Sequence, residues 1–150
     1  MAILLDTRVL LWAVYEPERL SRGVCDTLED PASEVWFSAV SIYEIALKQS
    51  LDTPDFTASP YAVRAEALSL GFRELPLDGI QAALVITLPP LDVDPFERLL
   101  LAQAQATGHI LWTSDAWAES YMGPVQPVRQ ARSPRLRLAA TPTARTAVRR

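Results

Sequence analysis

A chain of 150 residues with 49% hydrophobic side chains fits a single domain, which at this size buries about 70% of its unfolded surface without needing staples. Its one cysteine, Cys25, excludes a disulfide framework and suits a reducing, cytoplasmic setting, and no apolar run approaches the ~20 residues of a membrane span. The net charge of −4 is unevenly placed: the last 22 residues hold seven arginines and no acid, so residues 1–128 carry 7 basic against 18 acidic residues, a net of −11. This asymmetry divides the chain into a body, 1–128, and a basic segment, 129–150. The basic segment is too poor in large apolar residues to offset its ordering entropy and is expected to be disordered in isolation.

The opening MAILLDTRVLLW contains an Asp within its apolar run and lacks a basic flank, so a signal peptide is not expected. Residues 3–5 read as a buried strand closed by Asp6, and a helical pattern follows through Trp12 until Glu16-Pro17-Glu18 breaks it. Residues 21–29 form a second helix, on which Cys25 between Val24 and Leu28 reads as a small buried hydrophobe. EVWFS, 34–38, is a second strand. Ser41 and Glu44 have the spacing of a capping box opening a helix to about Gln49, followed by a loop over 51–60 with two prolines and two aspartates.

Residues 61–70 are helical up to Gly71, 72–77 make a third strand, and Asp78 caps a helix over 79–88 that ends at Pro89-Pro90. The stretch 91–107, LDVDPFERLLLAQAQAT, is the most ordered signal in the chain. Asp94 is placed as N-cap, Pro95 as the first helical residue and Glu97 as the third, which spells another capping box, with Gly108 as the stop. Its apolar residues on most sides make this a buried helix. Residues 110–112 form a buried strand ending in Thr113, Ser114 and Asp115, and a short helix and a strand over 125–128 complete the body. Strands alternating with helices give a three-layer α/β/α sandwich around a central parallel sheet. Its ligand site belongs at the carboxyl ends of the strands.

Each acid there has an ordinary reading. Glu44 can cap its helix and pair with Lys48 four residues on. Asp94 and Glu97 can cap the buried helix, and Asp115 can cap the helix at Ala116. Asp6, closing an apolar strand, has no evident cap to make. Together they are costly: two carboxylates ~5 Å apart repel by about 3 kcal/mol at an effective dielectric of 20. A hard divalent cation, Mg²⁺ or Mn²⁺, removes that cost. No other chemistry competes. His109 is the only histidine and reads as structural, no serine sits among nucleophile-elbow glycines, and five glycines form no phosphate loop. Trp12, Trp36 and Trp112 read as core, and Trp117, beside Asp115, is left open.

The segments LLDTRVLLW, SAVSIYEIALK, LPPLDVDPFERLLLAQA and LWTSD, in this order and spacing, resemble the PIN-domain ribonucleases, specifically the VapC-type toxins of bacterial toxin–antitoxin pairs. The resemblance covers about residues 2–128. It implies a metal-dependent endoribonuclease that cleaves structured RNA, tRNA or rRNA, by a metal-activated water. Carried over by position, the acids of the site are Asp6, Glu44, Glu97 and Asp115. These four are the family's metal-binding acids; the metal is held by Asp6, Glu97, Asp115 and Asp94, with Glu44 around it, and Thr113 and Ser114 orient water or phosphate. The partners implied are an RNA substrate, a cognate antitoxin and a second copy of the chain, with no membrane. Two positions depart from the pattern. Glu97 stands where the family usually has Asp, one methylene longer. Arg8 stands where this subgroup often has His, and either grips a phosphate in the substrate or pairs with a nearby acid. The Glu97 departure keeps open a second reading, a PIN fold that binds RNA or a partner protein without cleaving. A DNA nuclease of similar fold is a third.

Overall fold

In the computed structural model, the described residues are 1–51 and 57–132. The basic segment from 133 on, and part of the loop expected over 51–60, lie outside them. The elements run β1 (Ala2–Leu5), α1 (Thr7–Tyr15), α2 (Arg22–Glu29), β2 (Glu34–Ser38), α3 (Ala39–Ser50), α4 (Pro60–Ser69), β3 (Arg73–Leu75), α5 (Gly79–Ala83), α6 (Pro95–Thr107), β4 (Ile110–Thr113) and β5 (Val125–Pro127). Short 3₁₀ turns at Pro17–Arg19, Leu84–Thr87 and Ala116–Glu119 join them.

All four strand pairings are parallel and the order is β3-β2-β1-β4-β5. The alternation of β1 explains the layers. Ile3 and Leu5 face one apolar cluster with Val9 and Leu10 of α1, Ile45 of α3 and Val63 of α4. Leu4 faces the other, with Leu100, Leu101 and Ala104 of α6. A sheet covered on both faces needs strands that are apolar throughout, as β1 is. Helices on two sides of a parallel sheet make the three-layer α/β/α sandwich. The chain reverses direction across the sheet between β1 and β4, so their carboxyl ends form the switch point at which open α/β sheets bind ligands.

Most boundaries fall within two residues of those the sequence implies, and the departures have local causes. The helix over 79–88 splits into α5 and a 3₁₀ turn, and Asp78 makes a full capping box with Gln81. The helix expected to open at Ser41 begins three residues earlier, because Ser38 at the end of β2 accepts from the Val40 amide and serves as its cap. Gly108 stops α6 in the left-handed conformation at φ 74°, as its lack of Cβ permits. The first residues after the body run back along it: the Ala131 amide donates to the Arg19 carbonyl at 2.7 Å, and Arg129 pairs with Glu119 at 3.0 Å.

Gln103 ties the second layer to the sheet. It is fully buried on α6, accepts from the Ser38 hydroxyl, and donates to the Pro76 carbonyl at 3.3 Å and to Gln81 at 3.0 Å. Gln103→Leu strands the Ser38 hydroxyl proton and the Pro76 carbonyl. It should lower unfolding stability by about 1–3 kcal/mol in a denaturant titration. A change within about 0.5 kcal/mol, the range of inert surface substitutions, would show that this network adds nothing.

Candidate acidic site at the switch point

Asp6 follows β1 at the switch point and is 1% exposed. Contrary to the sequence reading, it does make a cap: its Oδ1 accepts from the Val9 amide at 2.7 Å, opening α1. Its Oδ2 accepts from the Ser114 amide at 3.2 Å, so this one carboxylate joins the ends of β1 and β4. The Thr113 hydroxyl and the two amides favour its ionised form, yet burial outweighs them and pushes its pKa up to about 6, with Asp115 adding repulsion.

Glu97 lies one turn into α6. Asp94 caps the helix as expected, accepting from the Phe96 and Glu97 amides at 2.8 and 3.0 Å. The reciprocal half of the capping box is not made. The Glu97 carboxyl turns away from the helix start and takes the Thr113 hydroxyl at 3.2 Å. Thr113 is fully buried and also accepts from the Asp115 amide at 3.1 Å, so it fixes the spacing of the two acids around it. Burial, followed by the charges of Asp6, Asp115 and Asp94, pushes Glu97 up to about 10. It therefore holds a proton at neutral pH for want of positive charge.

Asp115 caps nothing with its side chain, unlike the expectation of a plain N-cap. Burial raises its pKa and Arg8 counteracts this, which puts the Arg8 guanidinium close enough to be felt. Arg8 itself is exposed, at the rim. Ser114 contributes its amide to Asp6, and its own hydroxyl is buried without a hydrogen-bond partner.

Glu44 stands differently. It is buried on α3, with one oxygen accepting from the Thr7 hydroxyl at 2.7 Å and the other paired with Lys48. Thr7 also meets the Ser41 hydroxyl at 3.0 Å. A hydroxyl has one proton to give, and the carboxylate can only accept, so Ser41 donates to Thr7 in turn. Thr7 and this role of Ser41 were not read from the sequence. The available signals were a Thr directly after Asp6 and a Ser one helical turn before Glu44.

The sequence-derived acids thus gather at one edge in two groups. Asp6, Glu97, Asp115 and Asp94 act on one another's charge, Glu44 adds to that on Asp115, and Arg8 opposes it there, while Glu44 is also paired with Lys48. The donor set fits a hard divalent ion: carboxylate oxygens, a buried hydroxyl without a partner, and a proton retained where a cation would relieve repulsion. Among the described residues no group of three or more Asp, Glu, His or Cys side chains stands, as placed, in an arrangement that could hold a metal ion. His109 is distant in role, buried with its ring edge-on to Trp36 and Nδ1 2.6 Å from Thr107. Trp117 packs edge-on against Tyr121 within the second apolar cluster.

A parallel sandwich with acids gathered where β1 and β4 end defines a class of α/β proteins with an anionic centre. The PIN domain profile matches residues 3–119, and the chain belongs to that family. It is 30% identical over 123 residues to Ribonuclease VapC22 of Mycobacterium tuberculosis, spanning 81% of this chain and 93% of that protein. The fold is similar to two solved assemblies. One is VapBC2 from Rickettsia felis bound to a DNA fragment from their promoter, with a TM-score of 0.62 at 12% identity, covering 85% of this chain and 99% of that one. The other is a toxin-antitoxin complex from Klebsiella pneumoniae, with a TM-score of 0.55 at 19% identity, covering 83% and 95%. The resemblance to VapC-type members read from four sequence segments stands. No helix among the described residues is long and apolar enough to cross a membrane.

Proposed function

We propose that the chain is a Mg²⁺-dependent endoribonuclease acting as the toxin of a toxin–antitoxin pair. The observation that carries this is the gathering of the buried Asp6 and Glu97 with Asp115 where β1 and β4 end, joined through the Thr113 hydroxyl and the Ser114 amide; burial and the neighbouring acids push Glu97 up to about 10. An enzyme site that stores this repulsion is built to be completed by a cation. Membership of the PIN family, and a relative named a ribonuclease, point to RNA as substrate. Mn²⁺ fits the same donors.

Asp6, Glu97 and Asp115 would hold the ion, with Asp94 at the rim. When bound, the ion supplies positive charge that acidifies water and offsets the phosphate oxygens. The remaining residues act on geometry. Thr113 sets the separation of Glu97 and Asp115, and the Ser114 amide fixes Asp6. Arg8, exposed beside Asp115, is placed to take a phosphate oxygen of the RNA. Glu44, braced by Thr7 and neutralised by Lys48, is suited to orienting water rather than to filling the metal shell. Structured RNA, tRNA or rRNA, offers such a site its single-stranded loops. An antitoxin, a second copy of the chain and the cytoplasm complete the proposal, on the VapC-type pattern.

A second reading has its own observation: a Glu where the family usually has Asp, retaining its proton, suits a fold that binds RNA or a protein without cutting. Titrating Mg²⁺ and Mn²⁺ into purified protein with a mixed tRNA and rRNA pool separates the two. Discrete fragments that depend on the ion, and vanish in Asp6→Asn, are expected. Binding without fragments at any ion concentration would put the non-cleaving reading first.

A further inference from the structure

Beside the acids, between the start of α3 and the start of α6, lies an open hollow of about 280 Å³. Val40, Tyr43, Leu77, Pro95, Phe96 and Leu99 line it, and almost nothing polar does. It adjoins the site through the chain itself. Tyr43 precedes Glu44, and Pro95 and Phe96 occupy the positions between Asp94 and Glu97. The Tyr43 and Phe96 rings lie 6.0 Å apart and tilted by 55°, and Tyr43 remains 61% exposed. The Lys48 ammonium, already paired with Glu44, sits 5.9 Å from the centre of the Phe96 ring. An aromatic left this open beside a cation is an uncompleted contact.

We infer that this hollow receives one unpaired nucleobase of a single-stranded RNA segment whose phosphate lies at the acids. The inference rests on the RNA-cleaving reading above and names how that substrate is held. A nucleic-acid strand alternates a flat, largely apolar ring with an anionic phosphate at each nucleotide. The site offers both kinds of partner, an aromatic hollow next to Lys48 and, acting on Asp115, the exposed Arg8. The hollow offers no donors or acceptors with which to read base edges, so it holds a base by stacking and tolerates different sequences. A duplex cannot present a base to it, so the hollow selects loops and ends. A protein segment is the competing occupant. The test below separates the two occupants.

Binding of the full chain to a single-stranded RNA hexamer tests this, in Ca²⁺ and with the hexamer verified intact on a gel. Fluorescence anisotropy gives the affinity, and 2-aminopurine walked along the hexamer reports stacking. Tyr43→Ala should weaken binding about tenfold, and Tyr43→Phe should preserve it. Ala39 also lines the hollow, and Ala39→Leu, which fills it without touching the acids, should weaken binding comparably. Removing the base at one hexamer position should cost the wild type a similar factor and cost Tyr43→Ala almost nothing further. Binding that is unchanged by all of these, in a protein that still cleaves RNA, overturns the hollow alone. The same holds if Tyr43→Ala spares the hexamer and removes binding of a protein partner. A wild type that neither binds the hexamer nor cleaves with Mg²⁺ overturns the RNA-cleaving reading as well.

Discussion

Glu97→Gln is expected to reduce RNA cleavage by about 10²–10³-fold, the cost of removing one charged group from a preorganised centre. The same substitution should raise the melting temperature of the metal-free protein above neutral pH. Gln keeps the length and polarity of the side chain and can still take the Thr113 hydroxyl. It cannot ionise, so folding no longer has to hold the proton that burial and Asp6, Asp115 and Asp94 force on Glu97. Loss of activity with gain of stability is the signature of a group kept for function at the expense of the fold. If Glu97→Gln cleaves normally, Glu97 only supports α6. Glu97→Asp restores the residue usual in the family, and a rise in activity there would show that the longer side chain detunes the site.

The second large effect is on how metal and pH act together. The folded-state pKa of Glu97 is raised from 4.5 to about 10, so between those values the folded chain keeps a proton that the unfolded chain releases. For a raised carboxyl this makes metal-free stability fall as pH rises through that window. Asp6 adds the same slope between 3.8 and about 6. A cation must displace the proton, so its affinity climbs with pH. At a Mg²⁺ concentration about 100 times the dissociation constant, the folded state gains about 2.7 kcal/mol. For a chain of this size that is about 5–10 °C. The Mg²⁺-induced melting shift should therefore be small at pH 5.5 and grow steadily to pH 8.5. Asp6→Asn or Asp115→Asn should largely abolish it. A shift independent of pH, or retained in both variants, would place the ion elsewhere.

What was legible in the sequence is what is encoded locally. The apolar run 3–5, the prolines after α1 and before α6, and the glycine after α6 mark the elements, because turn and cap chemistry acts within a few residues. The gathering of Asp6, Glu97 and Asp115 was legible because parallel α/β sheets place their sites at strand ends. The partnerships across the chain were not. Thr7 meets Glu44 across 37 residues and Ser41 across 34, and Gln103 reaches Ser38 across 65. No periodicity signals such bonds, which exist only after the sheet has ordered its strands 3-2-1-4-5. The capping-box pattern misled twice for a related reason. Its spacing also places a carboxyl one turn into a helix, where Glu97 and Glu44 turn to distant partners. Asp6 misled in the opposite sense, since it caps α1 and serves the site with different oxygens. Of the tryptophans read as core, Trp12 and Trp112 are each 6% exposed, while Trp36 is only partly buried against the second apolar cluster.

The most direct test of the central claim is to express the chain alone in a bacterium and sequence newly formed RNA 5′ ends, beside Asp6→Asn expressed at the same level. The account predicts new ends at a restricted set of single-stranded positions in tRNA or rRNA, growth arrest with the wild type, and neither with Asp6→Asn. The same new ends in both, or none in either despite folded protein, would contradict an RNA-cleaving centre at the switch-point acids.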